Sequence, residues 1–173
     1  RYFMLTAGYR MPLNYTVELI ESCKNSLERL YTCRENLDFV LGQGSFGADE
    51  TLKEKAGEAR RKFCAAMDDD LNTPDALAAL FDLVKEINTL SAASTKEALE
   101  QAAAVFDELA GVLGLLYNRK KDEVPADVME LVEKRAAAKK AKDWATADAL
   151  RAEIAARGWT VKDTAQGPQL SRS

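Results

Sequence analysis

The chain has 173 residues, with 24 Lys and Arg against 28 Asp and Glu, and no histidine. That length suits one domain plus a small appendage. The acidic balance argues against indiscriminate nucleic-acid binding. The lack of any run of about 18 apolar residues argues against a membrane span, and the lack of histidine against a zinc site or a His-based triad.

Ala, Leu, Glu, Lys and Arg dominate, so helix is the default expectation. Cys23, Cys33 and Cys64 are odd in number and form no C-x-x-C pair. Cys23 and Cys33 would lie roughly 15 Å apart along one helix, too far to bridge. Reduced cysteines fit a cytoplasmic protein. The chain starts at Arg1, inside the apolar run Tyr2-Phe3-Met4-Leu5, without a signal peptide. That start reads as a fragment whose missing N-terminal portion holds chemistry of its own.

Residues 1–7 fit the end of a helix, and Gly8 to Tyr15 is irregular. Thr16 is placed to cap a long helix with Glu18 in its first turn. Ile20, Cys23, Leu27, Leu30, Leu37 and Leu41, with Tyr31 and Val40 beside them, repeat at the spacing of a buried helix face. Gly42 to Gly47 lacks G-K-[ST] and follows a helix rather than a strand. It is therefore expected to be a mobile inter-helix loop rather than a phosphate cradle. A second helix is expected over residues 50–67, with Leu52, Ala56, Ala59, Phe63 and Met67 inward.

The run Asp68-Asp69-Asp70-Leu71-Asn72-Thr73-Pro74 has three successive carboxylates but not the alternating donors of a calcium loop. It reads as a helix junction, with Thr73 as cap, Pro74 in the first helical position and Asp75 at the positive helix end. Leu77, Leu80, Phe81, Val84, Ile87 and Asn88 mark a third helix over residues 74–90. Ser94 or Thr95 starts a fourth, carrying Leu99, Ala102, Val105, Phe106, Leu109, Val112, Leu113 and Leu116. Four such helices predict a mainly α chain built on an antiparallel helical bundle. A di-metal bundle site would need inward Glu-x-x-His pairs, which a chain without histidine cannot supply.

Asn118 to Pro125 is charged and ends in Pro, so it reads as a domain boundary. From residue 126 onward nine Lys and Arg face seven Asp and Glu, a locally basic balance in an acidic chain. Ala126 or Asp127 opens a fifth helix with Val128, Leu131, Val132 and Ala138 apolar. Asp143 caps a sixth, containing Trp144, Ala147, Leu150, Ile154 and Ala155, and Gly158 supplies a left-handed stop. Trp159 to Asp163 alternates like a strand, Thr164 to Pro168 reads as a turn, and Gln169 to Arg172 as the returning strand. The expected unit is a small α-hairpin plus β-hairpin.

Reading unstacked RNA bases needs a flat exposed ring, cations for phosphate and acceptors for base amino groups. Trp144 starts its helix, Asp148 follows one turn on, Arg151 lies three residues later, Lys139 precedes the turn and Asp163 ends the strand. Residue by residue, a structural role is the stronger reading of the chemistry alone. Trp144 fits a plug for a small core, and Asp148 with Arg151 fits an exposed ion pair.

Over Arg135 to Gly167, R-x-x-x-K-K-A-K-D-W-A-T-A-D-A-L-R-x-E-I-x-x-x-G-W-x-V-x-D-T-x-x-G resembles the C-terminal anticodon-binding unit of bacterial cysteinyl-tRNA synthetases. R-Y-F-M-L-T-A-G-Y-R-M-P-L-N-Y, A-M-D-D-D-L-N-T-P-D-A-L-A and G-V-L-G-L-L resemble segments of the same class I family, in the same order. The resemblance implies four segments. Residues 1–13 end a linker from a missing catalytic core, 14–118 form the helical bundle, 119–125 a linker and 126–173 a small anticodon-recognition unit. The family joins cysteine to its tRNA using ATP, through H-I-G-H and K-M-S-K-S motifs that this chain does not contain. ATP, Mg and Zn are accordingly expected in the missing N-terminal domains, and no cofactor here. The implied partners are the cysteine tRNA, at its anticodon arm and inner side, and the enzyme's own catalytic domain, in a monomer with no membrane attachment.

Carried onto this sequence, Trp144 would stack on an anticodon base, Asp148 and Asp163 would accept from base edges, and Arg151 would support a base or phosphate. Lys139 stands where the family often has Arg; lacking a planar fork, it suits a phosphate better than a bidentate base contact. Leu170 stands where a second aromatic is common. The rival expectation is a helical scaffold that docks a protein partner, with no RNA role.

Overall fold

Thr16 starts the first long helix, its hydroxyl accepting from the Leu19 amide at 3.2 Å. The computed structural model describes residues 1–117, 125–164 and 167–172. Seven helices and two strands lie among them: α1 (Tyr2–Leu5), α2 (Val17–Gln43), α3 (Thr51–Asp68), α4 (Thr73–Leu90), α5 (Lys96–Val112), α6 (Ala126–Lys140), α7 (Trp144–Ala156), β1 (Trp159–Thr164) and β2 (Gly167–Arg172). The chain divides into two compact units, Arg1–Arg119 and Lys120–Ser173. The fold is mainly α, as expected: a helical bundle, then a smaller unit of two helices and two strands. Of the linker expected over residues 119–125, residues 119–124 lie outside the described residues, as does Asn118 before it.

In the first unit α3 packs against α4 and α5, and α2 lies across α4 and α5. Leu30, Leu37, Leu52, Leu80, Leu83, Ile87, Leu99 and Phe106 are completely or almost completely buried where these faces meet. Each such side chain contributes about 1.5–3 kcal/mol by leaving water. Arg34 interrupts the apolar stripe of α2, yet it is buried. Its guanidinium bonds Asp107 on α5 at 2.8 and 3.0 Å and Asp38 at 2.7 Å. Cys33 beside it is also buried, which pushes its thiol up to about 12 and keeps it protonated.

Three local expectations are corrected. The cap of α4 is Asn72 rather than Thr73: the Asn72 side chain accepts from the Asp75 amide, and Thr73 is already helical. The junction before it turns through left-handed Asp70 and Leu71, so the last non-helical residue falls one place earlier. On α5, Val112 is exposed and Leu115 takes a core position. The helix stops at Val112 and the chain reverses through left-handed Gly114, which ends the helical periodicity. The glycine-rich loop starts with left-handed Gly44, but its far end is pinned. Gly47 and Asp49 amides donate to Ser94 and Ala93 carbonyls, each at 3.0 Å, and Thr95 donates back to Asp49. Of the two candidate caps for α5, Thr95 accepts from the Ala98 amide, while the Ser94 hydroxyl bonds the Leu90 carbonyl.

In the second unit, α6 and α7 pack as a hairpin, and β1 lies against α7. Lys142 adopts φ 59° in the connecting turn. Asp143 then caps α7, accepting from the Thr146 amide at 3.1 Å and its hydroxyl at 2.6 Å. Gly158, at φ 79°, ends α7 as expected. β1 and β2 pair antiparallel from Trp159 opposite Arg172 to Thr164 opposite Gly167. Pairing therefore reaches further toward the connection than expected, taking in Thr164, Gly167 and Pro168, while Ala165 and Gln166 lie outside the described residues. Val128, Leu131, Val132, Ile154, Trp159 and Val161 form a separate core, flanked by Leu150 and Leu170.

Candidate nucleic-acid interface

Capping by Asp143 decides where Trp144 points. As the first residue of α7, Trp144 lies outside the hairpin core, and 59% of it is exposed. The core position belongs to Trp159, only 8% exposed at the start of β1. A plug role for Trp144 is thus overturned: strand alternation sends Trp159 and Val161 inward and leaves the α7 start free. Asp148 and Arg151 are exposed on the same helix and form no ion pair with each other.

Asp163 follows Trp159 and Val161 on the inward face of β1, but its carboxylate emerges at the edge of the core and its side chain is 47% exposed. There it meets two cations of α6, spaced four residues apart on one helix face. Arg135 Nη1 donates to Oδ1 and Nη2 to Oδ2, both at 2.9 Å. Lys139 Nζ lies 2.9 Å from the same Oδ2. Hydrogen bonds from Arg135, then from Lys139, hold the Asp163 carboxyl well below its usual range, so it is fully ionised near neutral pH. Arg135 is itself raised, first by its bonds to Asp163 and, more weakly, by the charge of Asp148.

Lys139 and Asp163 are therefore in direct contact, and Asp148 is near enough to act on Arg135. Trp144 and Arg151 share α7 with Asp148. Sequence reasoning missed Arg135, although it leads the quoted motif and lies one helical turn before Lys139. An arginine set between Glu133-Lys134 and three alanines gives no sign of its partner until the strand returns. Lys140, Lys142, Arg151 and Lys162 are exposed and form no ion pair among the described residues. Trp144, Asp148 and Arg151 thus follow one face of α7, and Asp163 meets Lys139 at the edge of the core; a ring, carboxylates and cations are the groups that can stack bases, accept from their edges and hold phosphates.

Among the described residues no group of three or more Cys, Asp or Glu side chains is placed to hold a metal ion. No described helix is long and apolar enough to cross a membrane.

The DALR domain family matches residues 62–117, and the cysteinyl-tRNA ligase anticodon binding domain family matches residues 121–169. Among relatives, the cysteine–tRNA ligase of Caldicellulosiruptor saccharolyticus is 43% identical over 99% of this chain. Those of Clostridioides difficile and Halalkalibacterium halodurans are 40% and 39% identical, again over 99% of it. The chain spans 38% of the length of each of these curated relatives. By both domain matches and by these alignments, the chain belongs to the cysteine–tRNA ligase family, as its C-terminal region.

Proposed function

We propose that this chain binds the cysteine tRNA and that its C-terminal unit reads the anticodon. The observation that carries the reading is Trp144, a large exposed ring one helical turn from Asp148 on a helix whose start Asp143 fixes. Trp144 stacks on a base, Asp148 and Asp163 accept from base edges, and Arg151 and Lys139 meet phosphate or base. Residues 14–118 act as the bundle along the inner side of the tRNA, and 126–173 as the recognition unit. In the longer cytoplasmic, monomeric protein, ATP, Mg and Zn serve cysteine attachment in the N-terminal domains.

The test is a fluorescence titration of the chain with anticodon-arm RNA hairpins carrying G-C-A or scrambled anticodons, at two salt concentrations. The expected result is tighter binding of G-C-A at both, weakening as salt rises. Equal affinity for both anticodons in the chain and in the full-length ligase would sink the reading.

Exposed Met4, Tyr9, Met11, Tyr15 and Val17 favour a protein contact at the other end of the chain. We assign this to the ligase's own catalytic domain, which makes scaffolding an accompaniment to RNA binding rather than a replacement for it.

A further inference from the structure

α3 ends in a way that usually calls for glycine. Asp70 and Leu71 both stand in the left-handed region, at φ 53° and 56°. The turn they make lets the Asn72 amide reach back to the Ala66 carbonyl at 3.0 Å and sets the start of α4. Aspartate tolerates that conformation, whereas a leucine Cβ crowds its own backbone there, and glycine or asparagine would avoid the cost. Burial within the bundle offsets only part of it, because Leu71 remains 55% exposed.

The turn is held from outside the helix pair. The Tyr9 hydroxyl donates to Asp70 Oδ1 at 2.9 Å, Arg10 Nη1 lies 3.5 Å from Oδ2, and the Arg10 guanidinium sits 5.0 Å from the centre of the Tyr9 ring. On the other side of Leu71 the Thr73 hydroxyl donates to the Ala7 carbonyl at 3.5 Å. Residues 7–10 are thus tied to the chain both before and after Leu71. Tyr9, Met11 and Leu71, each more than half exposed, gather by these ties at one corner of the bundle. Asp68 and Asp69 beside them are exposed and form no ion pair among the described residues.

Charge and chain length both bear on what covers this corner. The carboxylates of Asp68, Asp69 and Asp70 repel a phosphate backbone, which makes RNA a poor occupant. The curated relatives are longer than this chain, which matches their C-terminal region over 38% of their length. Their remaining length precedes the position aligned with Arg1, so in such a ligase residues 7–11 lie close along the chain to the N-terminal part. We propose that Leu71 is an apolar anchor on which the N-terminal part of the same ligase docks, through an apolar pocket flanked by cations that meet Asp68 and Asp69. Docking buries the leucine and offsets the cost of its left-handed backbone. This rests on the assignment of exposed Met4, Tyr9, Met11, Tyr15 and Val17 to the catalytic domain, and adds the residue on which that contact turns and the chemistry of the facing surface.

Hydrogen exchange of the full-length ligase and of the 173-residue chain tests this, for wild type, Leu71→Asn and Leu71→Gly, alongside melting temperatures of the chain. Wild-type amides of residues 8–11 and 70–73 are expected to exchange about tenfold or more slowly in the full-length ligase than in the chain. Leu71→Asn is expected to remove most of that difference at 70–73, while the chain melts at the same or a higher temperature, since asparagine suits the left-handed region. Leu71→Gly is expected to remove it too, and should one variant not fold, the other decides. Equal wild-type exchange at 70–73 in the two proteins overturns the proposal. If residues 8–11 are still slowed, the catalytic-domain contact stands without Leu71; if they are not, that assignment fails as well. A difference at 70–73 that survives substitution overturns the anchor role, as do two variant chains that both melt markedly earlier, which would place the work of Leu71 inside the bundle. Slowing that appears in the chain as its concentration rises assigns the corner to a second copy, and slowing that needs added cysteine tRNA assigns it to RNA; either result overturns the proposal.

Discussion

Trp144 and Trp159 bracket α7 with opposite exposure, 59% against 8%. Trp144 stands just after a capping aspartate with most of its surface in solvent, while Trp159 begins a strand that lies on the helices. Replacing each should therefore give separable effects. Trp144→Ala is expected to weaken RNA binding by about 1–3 kcal/mol of stacking with little loss of stability. Trp159→Ala is expected to destabilise the C-terminal unit by about 3–5 kcal/mol through the cavity it leaves. Paired thermal melts and RNA titrations check this, and a Trp144→Ala protein that melts as early as Trp159→Ala would contradict the assignment.

Acid should loosen the same unit through Asp163. Its carboxyl titrates below the usual value of 3.8 because Arg135, then Lys139, hydrogen-bond its charged form. A depressed folded-state value means that the stabilisation is fully present above the unfolded value, near 4, and is lost as pH falls through the lower folded-state value. Stability is therefore expected to fall as pH drops below about 4, with a shallower fall in Asp163→Asn. Tryptophan-fluorescence melts across that range report it; parallel curves for the two proteins would remove Asp163 as the source.

Arg34 ties α2 to α5 from a largely buried position, its side chain 10% exposed. Arg34→Ala is expected to cost about 2–3 kcal/mol by removing the charged bonds to Asp107 and Asp38. Arg34→Met should cost less because it keeps the packed stem. Urea denaturation of the two variants gives the comparison, and equal losses would place the whole effect in the charge.

At Gly47 the chain of the α2–α3 loop passes so close to Ala93 that an added Cβ would lie 1.9 Å from its carbonyl oxygen. The obstacle is backbone rather than a flexible side chain. Gly47→Ala is expected to lose about 1–3 kcal/mol as the loop shifts and to disturb the Gly47–Ser94 and Asp49–Ala93 hydrogen bonds. Amide hydrogen exchange at Gly47 and Asp49 would register the shift. Unchanged protection with unchanged stability would mean that the loop yields freely.

Most of the helical frame could be read from apolar spacing, because each bundle helix must turn one stripe inward whatever its neighbours are. Thr16, Asp143 and Gly158 were legible for a related reason, and the α5 cap was narrowed to Ser94 or Thr95: capping is local chemistry. The α4 cap was misplaced by one residue because two good capping types, Asn72 and Thr73, are adjacent, and only the left-handed turn through Asp70 and Leu71 decides between them.

The sequence by itself determined the helices, the two-part order, and the family to which its motifs belong. All of these follow from period, local capping and residue pattern along the chain. Only tertiary structure decided which tryptophan is free, that Arg34 is buried, and that Arg135 rather than Lys139 alone grips Asp163. Arg135 and Asp163 lie 28 positions apart, and no local rule couples residues so separated. The strand must fold back on the helix pair before a buried fork and an edge carboxylate become one site.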